Sequence, residues 1–162
     1  MSASDVAARL GWTMQTVEST GSTNSDLVAR SGHGLVLVAR EQTAGRGRLD
    51  RHWVSAPGDG LTFSVRLQVP SVVSSWGWLP LLAGLATADA VWAAGAQGVA
   101  VKWPNDVVGG PGKLAGILAQ RDGDAVVIGI GVNLAFAGER PDPNSVSVAE
   151  LGGSPDADAV LA

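Results

Sequence analysis

The sequence contains no cysteine among its 162 residues. This absence excludes disulfide bonds, thiolate zinc sites and a cysteine nucleophile, and it is compatible with a reducing compartment. The two histidines, His33 and His52, have no metal-ligand spacing to each other. A Gly-x-Ser-x-Gly nucleophile elbow is also missing. The sequence therefore points away from thiol chemistry, histidine metal centres and serine hydrolases.

Uninterrupted apolar runs and a surplus of positive charge are likewise missing. The longest apolar stretch, at 76–94, is interrupted by Pro80 and Asp89, which predicts a buried helix and no membrane span. The first ten residues lack the apolar core of a signal peptide, so we expect a cytoplasmic protein. With 11 Lys and Arg and a net charge of −4, we expect no nucleic acid as a partner of the whole molecule.

The remaining composition is that of a soluble globular domain. Apolar residues make up 46% and charged residues 16% of the chain, and the length is sufficient for one hydrophobic core. Apolar periodicity, with start and stop signals, indicates the elements. The predicted helices are 4–10, 25–30 and 78–94, and the predicted strands are 14–17, 35–41, 61–69, 99–102, 106–108, 113–120 and 125–133.

Three segments carry further expectations. In 61–69, apolar residues occupy every second position, which predicts a strand with one buried face. Asp122-Gly123, between the last two predicted strands, is typical of a β-hairpin turn. Ser154–Asp156 resembles a helix start, with proline in the first turn. The helix would stop at Ala162 after about two turns, so the chain looks cut.

The segment between the strands at 35–41 and 61–69 is long and has no hydrophobic period, which is typical of a functional loop. Glycines in it let the backbone turn sharply and approach a ligand, and its guanidinium groups fit phosphate and carboxylate. A solvated surface loop is the alternative interpretation. The residues concerned are Gly45, Arg46, Gly47, Arg48, Arg51 and Trp53.

Two nucleotide-binding signatures are incomplete. Gly112-Lys113 lacks the hydroxyl residue of a P-loop, because Leu114 follows. Gly129-Ile-Gly131 lacks the third glycine of a dinucleotide fingerprint. We therefore reject both a Walker A site and a Rossmann site.

Polar residues at strand ends are further candidates. Pro104 ends a predicted strand and sets Asn105 and Asp106 in a turn, which is either purely structural or a ligand contact. Lys113 opens an otherwise apolar strand, where it either reaches solvent or meets the arginine loop and faces developing negative charge. Asn133 ends a strand that looks buried, so its amide needs a partner from the backbone or from a ligand.

Together these motifs resemble the catalytic domain of bacterial biotin–protein ligases (biotin–[acetyl-CoA-carboxylase] ligases) of the type without a DNA-binding domain. The resemblance runs from about residue 16 to residue 151. Each motif is weak alone, and their order and spacing make the resemblance specific. The motifs are Ser22-Thr23-Asn24, Gln42–Arg48, Trp53, Lys102–Asp106, Lys113–Leu118 and Gly129–Asn133.

The resemblance implies an α+β fold, a mixed β-sheet backed by helices, similar to class II aminoacyl-tRNA synthetases and shared with lipoate ligases. It implies a ligase that makes biotinyl-5′-AMP from its substrates biotin and ATP and then transfers biotin to a lysine of a biotin carboxyl carrier protein. Mg2+ is expected on the phosphates. Members of this family can pair edge to edge, so a homodimer is compatible with the resemblance.

The resemblance also implies roles for individual residues. Arg46, Arg48 and Lys113 match the catalytic cations that neutralise the biotin carboxylate and the α-phosphate. Asp106 is the candidate ligand for magnesium. The residues that match the biotin site are Ser22, Thr23, Asn24, Gln42, Gly45, Arg46, Gly47, Arg48, Lys113 and Gly116, and those that match the nucleotide site are Arg51, Trp53 (stacked on adenine), Asn105 and Asn133.

The sequence departs from the family pattern in the loop and at both ends. Asp50 stands where many members have glycine, and aspartate tolerates a left-handed φ better than most residues. Neither an N-terminal helix-turn-helix nor a C-terminal SH3-like domain has a counterpart, so we expect one catalytic domain over 1–162. The alternatives are a lipoate or octanoate ligase of the same fold, and a biotin-binding module that is inactive without its C-terminal domain.

Overall fold

A seven-stranded mixed β-sheet with helices on both faces forms the framework of the chain. The computed structural model describes residues 2–54, 56–69, 76–110 and 112–161. Within these ranges the helices are α1 (Ala3–Arg9), α2 (Thr23–Val28), α3 (Leu79–Ala93) and α4 (Ala157–Leu161). The strands are β1 (Thr13–Thr20), β2 (Leu35–Gln42), β3 (Gly60–Gln68), β4 (Val99–Lys102), β5 (Asp106–Gly109), β6 (Gly112–Asp122) and β7 (Ala125–Asn133). Short 3₁₀ turns lie at Arg48–Asp50, Trp76–Trp78 and Ala149–Leu151.

The strands lie in the order β1-β2-β3-β7-β6-β5-β4. β1 pairs with β2 in parallel, and the other neighbouring pairs are antiparallel. β6 and β7 form the hairpin that Asp122-Gly123 predicts, with Asp122 opposite Ala125. The expected α+β class, with helices against a mixed sheet, is confirmed.

The large hydrophobic core lies between α3 and one face of the sheet. Val91 of α3 is fully buried in the same cluster as Val107 and Val132 of the sheet. At Gly84 the helix comes so close to the sheet that an added Cβ would lie 3.3 Å from Val101. This packing fixes the central strands from behind and leaves their other face for the functional site.

The short helix α2 packs on the opposite face of the sheet. Its Leu27 is fully buried against Leu37 of β2 and Val127 of β7. The main contacts of α2 with the sheet are to β2, β3 and β7, and its Asn24 also reaches β6. Because α2 has only two turns, it does not cover Gly116 and Gly131, which line the cavity on this face.

Strand β3 is buried on both faces, so the prediction of a single buried face is wrong. Leu61 lies in the large core as predicted. On the other face Thr62, Ser64 and Arg66 have only 5, 0 and 7% of their surface exposed. Hydrophobic periodicity reveals only the apolar face, whereas hydrogen bonds allow the polar face to be buried as well. Thr62 Oγ1, for example, donates to the carbonyl oxygen of Ala39 at 3.0 Å.

Two short helices begin at positions that differ from the predicted ones. α2 begins at Thr23 instead of residue 25. Its first N–H donates to the side-chain oxygen of Gln42 at 2.8 Å, so a neighbouring strand caps the helix, which local sequence does not reveal. α4 begins after Asp156, whose Oδ1 accepts from the N–H of Asp158 at 3.1 Å, and Ser154 is not the capping residue.

The apolar segment at 76–94 forms helix α3, as predicted, but the helix is only partly buried. Leu82, Leu85 and Trp92 have 53–64% of their surface exposed. In the described parts of the chain, the helices are too short or too polar to cross a membrane.

Removal of the Asp122 carboxylate is expected to destabilise the fold. Asp122 Oδ2 lies 2.7 Å from Nη1 of Arg66, whose side chain is only 9% exposed. A buried guanidinium that loses its partner is strongly destabilising, but Asp122 is partly exposed, so we expect Asp122→Ala to cost about 2 kcal/mol. Urea denaturation should show a lower midpoint with an unchanged slope.

The matched control is Glu18→Ala. Glu18 pairs with Arg40, and these side chains are 88 and 69% exposed. An exposed pair of this kind contributes about 0.5 kcal/mol or less. Equal losses of stability in the two variants would contradict the importance of the buried pair.

Candidate active site

A cavity of about 440 Å³ opens on the face of the sheet that carries α2. This volume is in the range of small-molecule sites. The cavity brings together nearly all predicted site residues, and Arg48 and Lys113 face the same space. The predicted residues that line it are Ser22, Thr23, Asn24, Gln42, Arg46, Gly47, Arg48, Arg51, Trp53, Asn105, Asp106, Lys113, Gly116 and Asn133.

Gly45 is not among the described residues that line the cavity, and it contacts the backbone of Trp53, which does line it. An added Cβ would lie 2.4 Å from the carbonyl oxygen of Trp53. The Gly45 carbonyl also accepts from the Trp53 N–H at 2.9 Å. Glycine at this position therefore allows the two arms of the loop to meet, and its contact with biotin stays a prediction.

The arginine-bearing loop is folded as a hairpin over residues 45–53. Arg46 pairs with His52 in an antiparallel bridge. The N–H of Gly47 donates to the carbonyl oxygen of Arg51 at 2.7 Å. The backbone of the hairpin is thus held by its own hydrogen bonds, and its exposed arginine side chains reach the cavity from the solvent side.

At the tip of this hairpin, Leu49 adopts a left-handed conformation with φ 57° and ψ 47°. The sequence led us to consider such a conformation at Asp50, and the structure places it one residue earlier. For a residue with a Cβ, the left-handed region costs about 1–2 kcal/mol. Leu49 is 77% exposed, so little burial offsets this cost.

The floor of the cavity consists of strand backbone without side chains. Gly116 of β6 lies opposite Gly131 of β7. An added Cβ on Gly131 would lie 2.3 Å from the indole ring of Trp53, so the ring rests directly on the strand. The Lys113 ammonium lies 5.9 Å from the centre of the same ring. Gly116, Gly131 and Trp53 thus form a flat, apolar slot in the middle of the cavity.

A chain of hydrogen bonds forms the inner, buried end of the cavity. Gln42 Oε1 accepts from the N–H of Thr23 at 2.8 Å and from its Oγ1 at 3.0 Å. Thr23 Oγ1 lies 2.7 Å from Ser64 Oγ. Ser64 Oγ donates to Asn24 Oδ1, also at 2.7 Å. Ser22 precedes the helix, and its hydroxyl makes no capping bond, so it is available to a ligand.

Lys113 is paired with a carboxylate at the outer end of the cavity. Its Nζ lies 2.7 Å from Asp106 Oδ1, and the two side chains are 40 and 26% exposed. The ammonium is therefore held over the cavity by the residue that we predicted as a metal ligand. Groups of three or more His, Cys, Asp or Glu that could hold a metal are absent from the described part of the chain.

Two asparagines that match the nucleotide site also hold the backbone in place. Asn133 Nδ2 donates to the carbonyl oxygens of Lys113 at 3.1 Å and Val146 at 3.2 Å. Asn105 Nδ2 donates to the carbonyl oxygen of Ile117 at 2.9 Å. Both hydrogens of the Asn133 amide are thereby used, so only its Oδ1 remains for a ligand.

Several lining residues were not predicted from the sequence. Thr62 and Ser64 lie on the polar face of β3, and the alternation of polar residues in that strand was a usable signal. Gly129 and Gly131 belong to one of the motifs of the resemblance, but they were not predicted as site residues. The segment between β7 and the last 3₁₀ turn contributes residues that no motif indicates. These residues are Pro141, Asp142 and Ser145.

The cavity therefore combines three environments. Its lining includes buried hydroxyl and amide groups, the apolar surface of Gly131 and Trp53, and the cations Arg46, Arg48 and Lys113. Such a cavity suits a ligand with a polar head, an apolar middle and an anionic end. Fixed cations also favour reactions in which two anions meet. The fold and the site thus define a small-molecule-binding domain whose cations can hold an anionic ligand.

The chain belongs to the biotin/lipoate A/B protein ligase family, whose model matches residues 6–133. A biotin–[acetyl-CoA-carboxylase] ligase of Mycobacterium tuberculosis is 44% identical over 157 residues, covering 91% of this chain and 59% of that protein. A ligase of the same name from Paracoccus denitrificans is 42% identical over 139 residues, covering 78% of this chain and 55% of that protein.

A solved structure of a biotin protein ligase has a similar fold. The biotin protein ligase of Aquifex aeolicus in complex with biotin and ATP matches with a TM-score of 0.80 and 33% sequence identity, over 92% of this chain and 65% of that chain. The chain therefore spans less than two thirds of the length of each of these three relatives.

Addition of a methyl group to the cavity floor is expected to displace Trp53. In Gly131→Ala, the new Cβ would lie 2.3 Å from the indole ring. Overpacking of this kind costs about 1–3 kcal/mol. The Nε1–H resonance of Trp53 in a ¹⁵N–¹H NMR spectrum, assigned with Trp53→Phe, should shift strongly.

Gly21→Ala serves as the control, because an added Cβ at Gly21 has no neighbouring atom within 4 Å. Its spectrum should keep the Trp53 resonance in place. A Trp53 resonance that stays unchanged in Gly131→Ala would show that the ring does not rest on the floor.

Proposed function

We propose that the chain is the catalytic part of an ATP-dependent ligase, which activates biotin as biotinyl-5′-AMP and transfers it to a lysine of a biotin carboxyl carrier protein. The observation that carries this proposal is that Arg48 and Lys113 line the same cavity as a buried hydrogen-bond network of hydroxyl and amide groups. The names of the relatives and the biotin and ATP bound in the Aquifex structure support it.

In the first step, a carboxylate oxygen of biotin attacks the α-phosphorus of ATP. A bond between that oxygen and phosphorus forms, and the bond to pyrophosphate breaks. Both reactants are anions, so cations that hold them in line lower the barrier. We assign this work to Lys113 from the sheet side and to Arg46 and Arg48 from the hairpin side, because all three line the cavity.

In the second step, the amine of the acceptor lysine attacks the carbonyl carbon of the adenylate. An amide forms, AMP leaves with the electron pair of the broken bond, and the amine gives up a proton. Water would hydrolyse the adenylate between the two steps, so the site must exclude it. The hairpin at 45–53 carries Trp53 onto the cavity floor and is the element placed to do this.

Each of the three groups of lining residues suits a different part of the two substrates, biotin and ATP. Ser22, Thr23 and Gln42 at the inner end suit the ureido group of biotin. Its rings and chain would occupy the surface of Gly116 and Gly131 once the Trp53 indole has moved off it. Arg51 and Trp53 on the hairpin suit the nucleotide. Asn105 and Asn133 lie close enough to add contacts, although their amides also serve the backbone.

Mg2+ fits this site only as an ion that ATP brings with it. Asp106 and Asp142 are acidic residues of the cavity lining, and we assign contact with the ion to Asp106, whose carboxylate is shared with Lys113. Mg2+ commonly keeps several waters and binds phosphates with one or two carboxylates. The ion would neutralise charge on the phosphates, and Lys113 and the arginines would neutralise the rest.

The alternatives lead to different results in two assays of this chain. Calorimetric titration with biotin and with lipoate separates a biotin ligase from a lipoate ligase. Exchange of labelled pyrophosphate into ATP in the presence of biotin separates a working ligase from a binding module. Binding of biotin without exchange would favour the module, and binding of lipoate alone would overturn the proposal.

A cytoplasmic location belongs to the same proposal. The absence of cysteine fits a reducing compartment. ATP and carrier proteins with reactive lysines are available there.

Replacement of Lys113 by alanine is expected to slow adenylate formation more than it weakens biotin binding. Loss of one charge-stabilising group lowers the rate by a factor of about 10²–10³. Lys113→Ala should therefore reduce the maximal exchange rate by this factor, while the biotin Kd changes by less than about tenfold. Arg40→Ala, whose partner Glu18 is on the surface, should leave both values unchanged. Equal losses in rate and binding would contradict the charge-neutralising role of Lys113.

A further inference from the structure

The hydrogen-bond network of the cavity extends to Gln120 of β6, which is not among the described residues that line the cavity. Asn24 Nδ2 donates to Gln120 Oε1 at 2.7 Å and to the carbonyl oxygen of Leu118 at 3.3 Å. The Asn24 amide lies directly over Gly129, where an added Cβ would be 2.4 Å from Oδ1. The bare strand thus lets the amide approach both acceptors on β6.

These contacts fix the orientation of the Asn24 amide. A backbone carbonyl can only accept a hydrogen bond, so the NH₂ group of Asn24 must face Leu118 and Gln120. Its Oδ1 then faces Ser64. Because an amide oxygen carries no proton, the hydroxyl of Ser64 must donate to it.

This orientation leaves the network with fewer protons than contacts. Oxygen–oxygen contacts join Asn24 to Ser64 at 2.7 Å, Ser64 to Thr23 at 2.7 Å and Thr23 to Gln42 at 3.0 Å. The two hydroxyls supply one proton each, and Asn24 takes that of Ser64. The single proton of Thr23 is therefore shared between Ser64 Oγ and Gln42 Oε1. The inner end of the cavity is rich in lone pairs and short of protons.

We propose that Gln120 is a positioning residue that sets this hydrogen-bond polarity, so that the inner end of the cavity selects a ligand head that donates N–H groups. The inference rests on the proposed function. The ureido ring of biotin carries two N–H donors, whereas the dithiolane ring of lipoate carries none. Within a family that uses both acids, an acceptor-rich network held by Gln120 favours the ureido ring.

Two substitutions separate the acceptor of Gln120 from its bulk. Gln120→Met keeps the length of the side chain and removes the amide oxygen, whereas Gln120→Glu keeps an acceptor. Loss of this partly buried hydrogen bond corresponds to about a tenfold rise in the biotin Kd, measured by calorimetry. Gln120→Met should show this rise with an exchange rate at saturating biotin within about twofold of the unchanged chain, and Gln120→Glu should restore the Kd to within about threefold.

Gln97→Met is the matched control. Gln97 is exposed, and its Nε2 donates to the carbonyl oxygen of Gly95 on the surface. This variant should bind biotin like the unchanged chain.

A biotin analogue methylated at one ureido nitrogen lacks one N–H donor. It therefore tests directly whether the network selects a ligand that donates N–H groups. The unchanged chain should bind biotin more tightly than the analogue. Gln120→Met should reduce that ratio, because without the Gln120 acceptor the Asn24 amide is no longer held with its oxygen in the network that accepts from the N–H group. A merely structural role would weaken both ligands equally. Equal weakening, or no weakening of either, would overturn the proposal.

A measurement on the chain without ligand tests the role of Gln120 separately from the proposed function. The side-chain NH₂ resonances of Asn24, assigned with Asn24→Asp, should shift in Gln120→Met and stay in place in Gln97→Met. If these resonances shift but the unchanged chain does not bind biotin, the proposed function fails and the orienting role of Gln120 stands. If the chain binds biotin and exchanges pyrophosphate but the ligand ratio does not respond, the positioning proposal alone fails.

Discussion

The absence of side chains at Gly116, Gly129 and Gly131, on one face of β6 and β7, is the constraint on which the site depends. At Gly129 the vacant volume is filled by the Asn24 amide, and at Gly131 it is filled by the indole of Trp53. A Cβ at either position would collide with these groups. The buried hydrogen-bond network and the cationic hairpin are thus both positioned by the same stretch of bare strand. Their relative placement follows from the register of Gly116 and Gly131, which lie opposite each other.

The other face of these strands explains why the bare surface stays flat. Ile117 and Val132 alternate with the glycines and lie in the large core under α3. One side of each strand is therefore packed against the core, and the glycines on the other side face the cavity. The hairpin at 45–53 has no such support, since its own backbone hydrogen bonds and the contact of Trp53 hold it. A rigid floor and a lightly held cover are the arrangement that a site needs if it must open to substrates and then exclude water.

Local sequence signals were sufficient for much of the fold and for most of the lining residues. Pro104 ends β4 at Lys102, as predicted, and Asp122-Gly123 marks the hairpin, because both act through local backbone geometry. Burial of the polar face of β3 was missed, since it depends on partners such as Asn24 that are distant in sequence. The pairing of Lys113 with Asp106 was missed for the same reason. The resemblance to a known family indicated that the motifs form one site. Only the tertiary structure shows that Gln120 is the last residue of the hydrogen-bond network.

The crowding of Arg46, Arg48 and Arg51 on one hairpin has a consequence for ionic strength. Like charges on a short, exposed turn repel one another, and the repulsion reaches further in dilute buffer, where the Debye length grows from about 8 Å at 0.15 M to about 30 Å at 0.01 M. A polyanion that enters the cavity is attracted by the three arginines, and its charge reduces the repulsion between them. Dissolved salt therefore acts on the hairpin in two opposing ways, easing its closure in the empty chain and weakening its hold on phosphate.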